Sequence, residues 1–114
     1  MTKIFPNASE YKILDDMIEK AGASIDRDYN GQLGILFGHS VSLTVPYGDS
    51  FAEFADNCEQ CAVAIRKDPY VFDDGDGFWG DDGVYSEVVA EDVANKLDQI
   101  ADNVREKVGE TSVA

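Results

Sequence analysis

Basic residues are what this 114-residue chain has least of for its charge: 9 lysines and arginines stand against 23 aspartates and glutamates, a formal net charge of −14. Such a chain repels phosphate, which excludes nucleic acid as a direct ligand. Histidine occurs once, as His39, and cysteine twice, as Cys58 and Cys61. A zinc site built on the two thiols needs two further ligands, and the single histidine supplies at most one. No apolar run approaches the roughly 20 residues that cross a bilayer. The opening "MTKIFPNASEY" lacks a basic region followed by an apolar stretch, so the expectation is a cytoplasmic protein without secretory signal or membrane contact. Nucleophile elbow, Walker loop and dinucleotide fingerprint are all missing, and the expected function is non-enzymatic and cofactor-free.

What is present is enough apolar material for one core. Hydrophobic residues make up 44% of the chain, which sets it apart from a disordered acidic tail. With no repeat and no linker rich in proline or serine, residues 1–114 read as a single domain. The charge is unevenly spread. Residues 49–92 hold thirteen acids and only Arg66 and Lys67, a net of −11, whereas residues 1–48 carry −2 and residues 93–114 carry −1. One middle segment owns the excess.

Patterning predicts an α+β fold: an N-terminal helix, a three-stranded antiparallel β-meander, and two C-terminal helices packed on one sheet face. In "NASEYKILDDMIEKAG", Asn7 and Glu10 form a capping box, Ile13, Leu14, Met17, Ile18 and Ala21 share a face, and Gly22 ends the helix. Alternation follows. Ile25 and Tyr29 share a face of "SIDRDY", Leu33, Ile35 and Phe37 of "QLGILF", and Val41, Leu43 and Val45 of "SVSLTV". Asn30-Gly31 and Gly38-His39 supply the turns. Ser50 and Glu53 then cap a second helix, with Phe51, Phe54, Ala55, Cys58, Cys61, Ala62 and Ile65 as its buried stripe. "GVYSEVV" suits a strand or a helix start. From about Glu91 a last helix buries Val93, Leu97, Ile100, Val104 and Val108, and residues 109–114 form a frayed tail.

Several constellations invite chemistry. "CEQC" has redox spacing, but reactive thiols sit at a helix N-terminus; Cys58 and Cys61 fall mid-helix on the apolar side, with Glu59 opposing a thiolate, so they read as core. His39 reads as a turn residue. The stretch "DDGDGFWGDDG", residues 73–83, is the acidic loop and contains the sole tryptophan. An EF-hand register from Asp74 places Phe78 and Trp79 at the fifth and sixth positions; one from Asp73 puts Gly75 third. Neither register fits, though an irregular loop could still gather Asp73, Asp76 and Asp81 around a hard cation, Ca²⁺ or Mg²⁺. That leaves a Ca²⁺-stabilised regulatory or adaptor domain as the alternative reading.

The leading reading uses the acids as a surface. Helical residues three or four apart lie about 5–6 Å from one another, so Asp49, Glu53 and Asp56 make one row, with Glu59 on the same outer face. Glu87, Glu91, Asp98, Asp102 and Glu106 make a second row, interrupted by Arg105. Such rows match phosphate spacing closely enough to occupy a groove lined with lysine and arginine. Asp73, Asp74, Asp76, Asp81 and Asp82 would add loop carboxylates. Phe78 and Trp79 would either anchor a partner or pin the loop. The profile is similar, in composition and size alone, to small antirestriction and anti-CRISPR proteins of phages. The expectation is an inhibitor that binds a positively charged protein, one that itself handles nucleic acid, as a DNA mimic would.

Overall fold

A computed structural model describes residues 5–29, 31–38, 42–69 and 87–112. Helix α1 (Ala8–Lys20) is followed by strands β1 (Ser24–Tyr29), β2 (Gln32–Leu36) and β3 (Ser42–Pro46), then helices α2 (Phe51–Lys67) and α3 (Glu87–Ser112). The strands pair antiparallel in the order β1-β2-β3. Helices α2 and α3 pack against the sheet, and the α+β architecture read from the sequence is the one observed.

Helix α1 begins where the sequence says it should. The Asn7 side chain accepts from the Glu10 amide while the Glu10 carboxylate accepts from the Asn7 amide, both at 2.8 Å. Two of the four amides that a helix start leaves without partners inside the helix are thereby satisfied. Leu14 and Ile18 are fully buried on its inner face. Helix α2 differs in detail. Ser50 Oγ accepts from the Glu53 amide, but the Glu53 carboxylate reaches one residue further back, to the amide of Asp49. Only half of the expected box forms, and the other half has moved into the preceding turn.

Strand β1 departs from simple alternation. A bulge between Ile25 and Arg27 slips the register, so Ile25 faces Ile35 while Asp28, not Arg27, stands opposite Leu33. An extra residue in one strand shifts every later side chain to the other face. The strict alternation that the sequence suggested for this strand is therefore interrupted after Ile25. Asp28 is brought instead to the rim of the core, where the Tyr47 hydroxyl donates to it at 2.6 Å. Burial, reinforced by that carboxylate, pushes the Tyr47 phenol far above its ordinary range, and it stays protonated.

The core joins the sheet to α2 and α3. Leu33, Ile35, Leu43 and Val45 from the sheet meet Phe54, Ala55, Cys58, Ala62 and Ile65 from α2 and Val93, Leu97, Ile100 and Val104 from α3. The last helix starts at Glu87, so Glu87–Val89 of the ambiguous "GVYSEVV" are helical, and it runs through Ser112. Two polar ties fix its placement. Lys96 donates to the Phe37 carbonyl at 3.0 Å, joining α3 to the end of β2. Asn103, only 2% exposed, donates to the Met17 carbonyl of α1 and accepts from Gln99. Buried amides need such partners, and here they also set where α1 crosses α3.

Candidate partner-binding surface

The outer seam between α2 and α3 is where acidic side chains from two elements meet. Helix α2 presents Asp56, Glu59, Val63 and Arg66 at spacings of three and four, and α3 presents Glu91, Asn95, Asp98, Asp102 and Arg105 in the same rhythm. Those intervals keep each set on one helical stripe. The two helices run antiparallel, so the C-terminal end of α2 lies beside the first half of α3. At that end Arg66 donates to Glu91 at 3.2 Å, Asn95 at 2.8 Å and Asp98 at 2.6 Å. At the other end Arg105 donates through both terminal nitrogens to Glu59, at 2.7 and 3.0 Å, and to Asp56 at 2.6 Å. Planar guanidinium groups suit this multidentate work, where a lysine would serve as a single point charge.

These contacts alter how the two acidic rows are to be understood. Each row was expected to face outward as a strip of like charge. Asp56, Glu59, Glu91 and Asp98 are instead already engaged within the molecule, in two clusters centred on Arg66 and Arg105. The guanidinium of Arg105 holds the Glu59 carboxyl below the ordinary glutamate range, and Glu59 in turn raises Arg105 further above its already high value. Asp98, ahead of Glu91, does the same for Arg66. Exposure limits the energies: the side chain of Arg105 is 38% exposed and that of Glu59 45%. Pairs so open to water contribute a few tenths to about 1 kcal/mol.

A pH test follows from the sign of the Glu59 shift. A carboxyl depressed in the folded state stabilises the fold above its unfolded value, and that contribution fades as pH falls through the folded one. Arg105→Gln should therefore cost less than about 1 kcal/mol at neutral pH. The difference from the parent should shrink as pH drops below about 4. Urea denaturation at a series of pH values measures it; a constant difference down to acid pH would mean that Arg105 acts by packing alone.

The remaining candidate residues lie at the ends of the pair. Asp49 and Glu53 are exposed at the start of α2, joined by the Asp49 amide to Glu53 bond. Glu87 is exposed in the first turn of α3. Because the helices are antiparallel, Glu53 and Glu87 sit at opposite ends of a seam about 25 Å long, given 1.5 Å of rise per residue over α2. Asp73, Asp74, Asp76, Phe78, Trp79, Asp81 and Asp82 lie outside the described residues, as does His39. Arg66 and Arg105 are the residues that reading the acids alone missed. Their signal was present in the sequence: once two stripes with three-four spacing are laid antiparallel, each arginine falls opposite a carboxylate pair.

Two chemical alternatives meet the geometry here. Burial pushes both thiols up, Cys58 furthest, and neither is disulfide-bonded. Cys58 lies in the core and Cys61, partly buried, packs against it. Among the described residues no three His, Cys, Asp or Glu side chains converge to hold a metal ion, and no helix is long and apolar enough to cross a membrane. Comparison with protein-family models, with characterised proteins and with solved structures finds no match to this chain.

Proposed function

We propose that this protein is a non-enzymatic inhibitor that engages a basic surface on a nucleic-acid-binding protein, as a DNA mimic of the antirestriction or anti-CRISPR kind. The observation that carries the reading is the confinement of a net −11 to residues 49–92, two segments of which are helices held side by side. Charge placed this way raises the encounter rate with a cationic groove and fixes orientation more than it adds affinity. Affinity then comes from many weak pairs acting together, supplemented by an apolar anchor such as Phe78 or Trp79.

Binding of the intact chain to an arginine-rich peptide, followed by calorimetry, tests it. The range of an exposed charge shrinks from about 10 Å at 0.1 M salt to about 3 Å at 1 M, and affinity should fall at least about tenfold across that interval. Tight complexes insensitive to salt would end the reading. A saturable Ca²⁺ heat in the same instrument, lost on Asp73→Asn or Asp76→Asn, would favour the metal-stabilised alternative.

The internal arginines offer a finer check. Arg105→Gln releases Asp56 and Glu59, and affinity for the peptide should rise about two- to five-fold, the equivalent of one or two extra exposed pairs. Lys12→Gln removes the same single charge from an exposed pair with Asp16 on α1, far along the chain from the acidic segment. If both variants gain equally, total charge decides binding and the seam has no special part.

A further inference from the structure

We draw no further inference here: the strongest candidate, the pocket between the end of α1 and α3 lined by Met17, Lys20, Asn103, Glu106 and Lys107, carries nothing, because its buried Asn103 is already bonded to Met17 and Gln99 and nothing in the structure shows what fills it.

Discussion

Replacing Asp73, Asp74, Asp76, Asp81 and Asp82 with asparagine should weaken binding to an arginine-rich peptide by about ten- to fifty-fold at low salt. The size follows from five exposed pairs at a few tenths of a kcal/mol each, summing to roughly 1.5–2.3 kcal/mol, where 1.4 kcal/mol is a factor of ten. Amides keep the volume and most of the polarity of the acids, so the change isolates charge. The control is a second variant with five acids neutralised elsewhere, at Asp15, Asp16, Glu19, Asp26 and Glu110, outside the loop and both acidic rows. It has the same net charge, yet spares both the loop and the seam pairs. Its affinity should fall less than about threefold if location matters as well as total charge. Equal losses in the two variants would leave only a non-specific polyanion. Circular dichroism on both establishes that each remains folded.

The contrast between those variants bears on how an acidic domain of this size stays compact. Self-repulsion at net −14 opposes folding. Two arginines blunt it between α2 and α3, each binding two carboxylates of the opposite helix. Lys96 does related work, pairing with Asp92 one turn away while donating to the Phe37 carbonyl. These three cations are thus placed between elements, where they relieve repulsion and fix helix positions. Acids with no such partner can face a ligand.

Most of the fold was legible because local signals agreed with one another. The Asn7–Glu10 box, the apolar stripe of α2 and the alternation in β2 and β3 each point to the element that forms. The bulge in β1 was not legible: "SIDRDY" alternates well enough to hide an inserted residue, and only pairing with β2 shows that Asp28 falls opposite Leu33. The shift of the Glu53 carboxylate to the Asp49 amide was hidden for a similar reason. It depends on the turn before α2, which spacing does not encode. In the candidate surface, sequence identified the carboxylates but not their internal partners. A stripe on one helix can be read from intervals, whereas the helix that lies across it is a tertiary fact.

That turn before α2 yields the largest stability effect we expect from a single methyl group. Gly48 has φ +71°, in the left-handed region, and a Cβ there would lie 2.6 Å from the Cβ of Glu53 and 3.0 Å from its carboxylate. The first of these atoms is fixed to the α2 backbone, so the clash is relieved only by moving the helix start. Gly48→Ala should cost about 2–3 kcal/mol: roughly 1–2 from the backbone conformation and the remainder from displaced contacts. Among those contacts are the Glu53 bond to the Asp49 amide and the nearby Asn57 bond to the Pro46 carbonyl, which ties α2 to the end of β3. Gly31→Ala provides the internal standard. Its φ is +82°, nearly the same, but nothing lies within 4 Å of the added atom, so only the conformational cost of roughly 1–2 kcal/mol should appear. Urea unfolding of both variants measures the gap between them. Equal losses would show that the start of α2 yields freely, and in that case Asp49 and Glu53 would not be held in fixed positions at the end of the acidic seam.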